Sequence, residues 1–301
     1  MRNVLLFSLC LVLTATLCLM AYQPSQVQTS RGERSWLPKF RLAQAFAEGK
    51  PVERPDRLPR HGGVYVVAHR GAHEGIPENT LAAYQKAIDL GADFVEVDLR
   101  MTKDGRIVSV HNGSVDAYTQ DAKGEVKSFT LDELKAMDIG SRIAPAFKEE
   151  RIPTFEEILA LCKGKIGIYL DLKEAPVPLL VDMVKEHDME RDVLWYASVE
   201  ELTQLRELCP ECIPMPDPGP EANLATLLQD FEPGVVASVA RYIGQSFVQA
   251  CHAKGRLVIV DEGGDVEKFW AQCAEWKVDG IQTDHPEKLI ARLKGQEAKA
   301  K

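Results

Sequence analysis

Val64-Tyr65-Val66-Val67-Ala68, then the helical stretch Thr80 to Leu90, then Phe94-Val95-Glu96-Val97-Asp98-Leu99 spell one strand–helix–strand unit. Leu81, Tyr84, Ala87 and Ile88 recur at helical spacing on one face of the middle segment, and the flanking runs are rich in β-branched residues. The same alternation continues downstream. Further strands are predicted over Ile166–Leu172, Val193–Ala197, Ile213–Met215, Val235–Val239, Arg256–Val260 and Gly280–Thr283. Helices are predicted over Pro178–Glu186, Glu200–Leu208, Ala222–Gln229, Ser246–Ala253, Val266–Trp276 and Pro286–Leu293. Strands that alternate this regularly with helices predict a parallel α/β fold, a (β/α)8 TIM barrel, over residues 63–295. No Gly-x-Gly-x-x-Gly follows any strand, which argues against dinucleotide binding. The second and third strands are too far apart for a simple connection. Residues 112–153, which include the capped segment Phe129-Thr130-Leu131-Asp132-Glu133-Leu134, are read as a small insertion at the barrel mouth.

The 301-residue chain carries a net charge of −9. That balance gives a nucleic acid no electrostatic support, and no such partner is expected. An anionic phosphate ligand would need a local metal, arginine or lysine to reverse the field. Met1-Arg2-Asn3 followed by the uncharged, mostly apolar Val4 to Ala21 reads as an export signal or an uncleaved membrane anchor. The expected location is therefore periplasmic, extracellular or membrane-anchored. Residues 22–62 read as a linker with a short helix, and residues 296–301 as a polar tail. Between Arg31 and Arg60 eight Lys/Arg face four Asp/Glu, with Trp36, Phe40 and Phe46 interspersed. Packing of a short helix on the barrel is the preferred reading, and contact with an anionic membrane surface is the alternative. Cys209-Pro210-Glu211-Cys212 has redox or zinc spacing, but no second Cys or His pair lies nearby. A local disulfide fits an exported chain.

The chemistry-bearing residues cluster at strand ends. Glu96 and Asp98 are two apart on a strand and so share a face. Two adjacent carboxylates repel unless protonated or bound to a cation, and hard oxygen ligands suit Mg²⁺ or Ca²⁺. His69 ends the first strand and His111 ends the strand-like run Val108-Ser109-Val110; imidazoles there can move protons near neutral pH. Arg70 suits capture of a phosphate. Asp171 and Lys173 again share a strand face and add a third carboxylate and a cation. Asn79 precedes a helix, where N-capping is its first reading and an active-site hydrogen bond a compatible second.

His69-Arg70-Gly71, Pro77-Glu78-Asn79-Thr80, Glu96-Val97-Asp98-Leu99-Arg100-Met101-Thr102-Lys103-Asp104-Gly105, His111 and Asp279-Gly280-Ile281-Gln282-Thr283-Asp284-His285-Pro286 together resemble the glycerophosphodiester phosphodiesterase family. The resemblance implies metal-dependent hydrolysis of a small-molecule glycerophosphodiester to glycerol phosphate and an alcohol. It implies Glu96, Asp98 and Asp171 as metal ligands, His69 and His111 as the acid/base pair, and Arg70 and Lys173 as phosphate-binding residues. Asp171 stands where that family usually has Glu, and Asn112 where it often has Asp. A glycerol hydroxyl beside the ester is placed to attack phosphorus first, giving a cyclic phosphate that water opens. Asp261 and Glu262 are candidates to favour a cationic headgroup. The alternatives are phospholipase D-like cleavage of lysolipids or sphingolipids, and a barrel that binds phosphodiesters without turnover.

Overall fold

A computed structural model describes residues 53–300 of the chain, with side chains through residue 295. The leader at residues 1–21, the rest of the linker to residue 52, and Trp36, Phe40 and Phe46 lie outside the described residues.

Nine strands form one sheet: β1 (Tyr65–Ala68), β2 (Phe94–Met101), β3 (Ile107–Ser109), β4 (Gly167–Glu174), β5 (Val193–Tyr196), β6 (Ile213–Pro214), β7 (Val235–Val239), β8 (Leu257–Asp261) and β9 (Gly280–Thr283). Eight are parallel, in the order β6-β5-β4-β2-β1-β9-β8-β7, and β3 pairs antiparallel with β2 at the side. The helices are α1 (Leu81–Leu90), α2 (Leu131–Ala136), α3 (Phe155–Cys162), α4 (Val177–Glu186), α5 (Val199–Leu208), α6 (Leu224–Asp230), α7 (Gln245–Ala253), α8 (Val266–Trp276) and α9 (Pro286–Ala300). This is the expected barrel, nearly closed. Between β6 and β7 there is no ladder, but the Ala237 amide donates to Pro216 O at 3.0 Å. The cause is local. Met215 turns its N–H to Trp195 O of β5, so residues 214 and 216 would face β7, and both are prolines without a donor.

Strand alternation divides the core in two. Tyr65, Val67, Phe94, Tyr169, Leu194, Ile213, Ala237 and Ile259 fill the barrel interior, whereas Val66, Val95, Val97, Leu170 and Val260 pack outward against the helices. The wide ring of Phe94 fits because β4 begins at Gly167, where a Cβ would sit 2.4 Å from that ring. On β2 the inward series runs Phe94, Glu96, Asp98, so apolar filling gives way to carboxylates toward the C-terminal end. Residues 53–62 are tied to the opposite, N-terminal end. Arg57 pairs with Asp192 just before β5, and the Arg60 amide donates to Asp93 just before β2 at 3.0 Å.

Two boundaries differ from expectation. The excursion after β2 begins nearer residue 102 than 112, because the chain first turns back as β3; it returns where Ser109 N donates to Pro153 O at 3.0 Å. Val110, Val115, Tyr118, Val126, Leu134, Met137 and Ile152 give it a core of its own. Helix α3 was not among the predicted helices, although its signal is present. Thr154 and Glu157 form a capping box, the Ser/Thr-x-x-Glu pattern of a helix start. The helical register of α9 also continues to Ala300, through the segment expected as a polar tail.

Candidate active site

The C-terminal ends of β1, β2, β4, β8 and β9 carry the polar side chains, the end where barrel enzymes work. Glu96 and Asp98 of β2 are 1% and 0% exposed. Asp98 and Asp171 are register partners across β2 and β4. One carboxylate oxygen from each of Glu96, Asp98 and Asp171 lies within 4.8 Å of the others. Lys173, two residues along β4, bridges this group, hydrogen-bonded to Asp171 and 3.1 Å from Asp98 Oδ1. Burial, together with the charge of Asp98, pushes the Glu96 carboxyl well above its ordinary range. Asp98 goes the other way: burial opposes its ionisation, but Lys173, His111 and a hydrogen bond from Asn79 hold it below the usual range.

Asn79 does not cap α1. Thr80 does, accepting from the Ala83 amide at 3.3 Å, while Asn79 sits at φ 54° one residue earlier. Threonine is a sound cap, and Asn79 is spent on a different task. Its Nδ2 donates to Asp98 Oδ2 at 2.8 Å. Its Oδ1 accepts from Tyr84 Oη at 2.8 Å and from Ser109 Oγ at 2.9 Å. The Asp98 carboxylate can only accept, so it fixes which end of the amide faces it, and the buried Tyr84 of α1 and Ser109 of β3, whose hydroxyls also meet each other at 2.8 Å, support the Asn79 oxygen. Arg70, at φ 54°, gives its amide to Glu96 Oε2 at 2.8 Å. Its guanidinium pairs with Glu78 at 3.2 Å and lies 3.8 Å from Asp98.

The two imidazoles have different supports. His69 Nδ1 is 2.6 Å from Asp284 Oδ1, at the end of the neighbouring β9. Burial works against the cation, but the Asp284 hydrogen bond and the charges of Glu96 and Asp261 raise His69 to about 9. His111 follows β3 and is tied to β2, since Arg100 Nη2 donates to His111 O at 2.7 Å. Its Nδ1 is 3.1 Å from the neutral Asn112 side chain. Burial, opposed by Asp98 and reinforced by Arg70, lowers His111 below the usual imidazole range.

The structure thus places Glu96, Asp98, Asp171, Lys173, Arg70, Asn79, His69 and His111 at one mouth. Sequence reasoning did not give roles to Asp284, Tyr84, Ser109 or Glu78. Asp284 had a positional signal, as the first residue after the last barrel strand. Tyr84 had none, because its helical spacing reads as core. Glu262, a candidate for headgroup contact, is engaged elsewhere: its oxygens accept from Trp270 Nε1 at 2.8 Å and from the Asp284 amide at 2.9 Å. It nevertheless lines an open groove of about 540 Å³ together with Val239, Ala240, Arg241, Asp261, Gly263 and Gly264. Cys209 and Cys212 form a disulfide, and Cys162, Cys251 and Cys273 are buried thiols.

Known proteins are similar to this chain in sequence and fold. Residues 69–208 match the glycerophosphoryl diester phosphodiesterase family. A glycerophosphodiester phosphodiesterase of Caldanaerobacter subterraneus subsp. tengcongensis is 39% identical over 251 residues, 75% of this chain and 96% of that protein. Among solved structures, a glycerophosphodiester phosphodiesterase from Agrobacterium tumefaciens is similar with a TM-score of 0.67 at 27% identity, over 76% of this chain and 99% of that one. An Oleispira antarctica phosphodiesterase, solved in complex with the product sn-glycerol-3-phosphate, has a TM-score of 0.69 at 25% identity over 76% of this chain and 96% of that one. The chain is an enzyme of the glycerophosphoryl diester phosphodiesterase family, built on a nearly closed TIM barrel.

Proposed function

We propose that this enzyme hydrolyses glycerophosphodiesters to glycerol phosphate and an alcohol, with a divalent metal held by Glu96, Asp98 and Asp171 and with His111 and His69 moving the protons. The observation that carries the reading is three carboxylates, Glu96 and Asp98 buried and Asp171 14% exposed, converging beside two imidazoles at the barrel mouth. The donor set fits a hard cation. Three carboxylate oxygens gather within 4.8 Å of one another, and the buried Asp98 Oδ1 has the Lys173 ammonium at 3.1 Å but no aligned hydrogen bond. The sn-glycerol-3-phosphate product of the Oleispira relative supports the substrate class. A bound Mg²⁺ or Ca²⁺ would polarise the phosphoryl oxygens and neutralise charge that builds on them.

The chain's own residues supply the rest. His111, held neutral against an amide, accepts the proton of the attacking oxygen. His69, held protonated against Asp284, gives a proton to the departing alkoxide. A carboxylate behind one ring and an amide behind the other separate their affinities for a proton, which is what an acid and a base need. Arg70 and Lys173 are the cations nearest the carboxylates and meet the non-bridging oxygens. We infer export from the Val4–Ala21 leader, in agreement with the Cys209–Cys212 disulfide; N-terminal sequencing of the mature protein would tell a cleaved signal from an uncleaved anchor.

The test is release of glycerol phosphate from a panel of soluble diesters, with and without chelator. Hydrolysis lost on chelation and restored by Mg²⁺ or Ca²⁺ is expected. Undiminished hydrolysis in chelator, or cleavage of micellar lipid alone, would overturn the reading.

A further inference from the structure

The barrel mouth holds a second convergence of ligating atoms. Asp284 Oδ1 receives two imidazoles, His69 Nδ1 at 2.6 Å and His73 Nε2 at 3.0 Å. One atom from each of the three residues lies within 4.8 Å of the others. Their side chains are 21%, 23% and 49% exposed for His69, His73 and Asp284, so an ion from solvent can reach them. The two rings stand at 77° with centroids 6.4 Å apart, turned toward one carboxylate rather than stacked.

We propose that His69, His73 and Asp284 form a second cation site, selective for a zinc-like transition metal, whose occupation switches the enzyme off. Two imidazole nitrogens and one carboxylate oxygen suit Zn²⁺ in a tetrahedral site completed by water, whereas three carboxylates suit Mg²⁺ or Ca²⁺. Ligand atoms of a tetrahedral Zn²⁺ stand roughly 3.3 Å apart. The observed nitrogen-to-oxygen distances of 2.6 and 3.0 Å would open by less than about 1 Å to reach that spacing. Asp284 is held for this role, since its backbone amide is fixed by Glu262 at 2.9 Å. The ion would displace the proton shared by His69 and Asp284, and metal binding generally releases such protons. The loss of activity rests on the proton-donor role of His69 proposed above; the binding of the ion does not.

His73 is the residue that separates the two functions. The experiment is calorimetric titration of the full-length enzyme with ZnCl2 in excess Mg²⁺, together with Zn²⁺ inhibition of diester hydrolysis. The wild type should bind one Zn²⁺ and lose activity as it does. His73→Ala should keep its zinc-free activity and bind Zn²⁺ about 10–100-fold more weakly, with inhibition shifted by the same factor. Asp284→Asn should weaken zinc binding as well. Equal Zn²⁺ affinity in His73→Ala and the wild type would overturn the proposal. So would zinc binding that survives both changes and disappears in Asp171→Asn, which would place the ion among the carboxylates. A protein inactive on every diester but binding zinc through His73 would sink the hydrolase reading and leave the site standing.

Discussion

The two clusters at the barrel mouth are built in opposite ways. Glu96, Asp98 and Asp171 lie within strands, the first two buried, with their directions set by the backbone pleat and, for Asp98, by a hydrogen-bonded support of Asn79, Tyr84 and Ser109. His69 and Asp284 lie just beyond strand ends, half-buried, and hold each other, with His73 meeting Asp284 from the following loop. The first cluster is a rigid concentration of like charge that calls for a cation. In the second, the His69–Asp284 pair holds the proton. The difference teaches where each task belongs: a fixed charge is best seated in the sheet, and a proton carrier where solvent and substrate reach it.

That contrast can be broken at either end. Asp98→Asn removes a charge from the rigid cluster and should cost several kcal/mol of transition-state stabilisation, on the order of 10³-fold in kcat, with weakened binding of Mg²⁺ or Ca²⁺ by calorimetry. His111→Ala should lower the rate by about 10²-fold or more while circular dichroism and metal binding stay as in the wild type. Tyr84→Phe probes the support behind Asp98. It leaves the Asn79 oxygen one donor short and should destabilise the fold by about 1–3 kcal/mol, read by denaturant unfolding, with a smaller loss of metal affinity. The gentlest change is Asn112→Asp, which gives His111 a carboxylate like that behind His69. In the wild type the rate should fall as pH rises through about 9, where the raised His69 loses its proton, and fall at low pH, where the lowered His111 gains one. Asn112→Asp should move only the acid limb upward, by roughly one unit; an unmoved acid limb would remove His111 as the base.

Much of this was legible in the chain. The eight barrel strands and the shared faces of Glu96 with Asp98, and of Asp171 with Lys173, follow from a two-residue period that any buried strand obeys. The spacing of Cys209 and Cys212 left redox, zinc and disulfide readings open, and their pairing is seen only in the structure. Helix α3 was legible but overlooked, since Thr154 and Glu157 carry the capping pattern. The cap of α1 shows a different limit. Asn79 and Thr80 are both good caps, and the choice between them is made by Asp98, nineteen residues away. The seam between β6 and β7 is an intermediate case: Pro214 and Pro216 announce missing donors, but not which neighbour they face until Met215 is seen to pair with β5.

By itself, then, the sequence determined the barrel, the carboxylate pairs on their strands and the presence of two histidines near the mouth, because periodicity and backbone geometry are local. Only the tertiary structure decided what those histidines lean on. Asp284 reaches His69 across 215 residues because β9 closes the barrel beside β1, with His69 N donating to Thr283 O at 3.0 Å. His111 reaches the carboxylates because an antiparallel hairpin folds back on β2. Strand order and closure come from packing the whole chain at once, and no local pattern encodes which strand end will stand next to which.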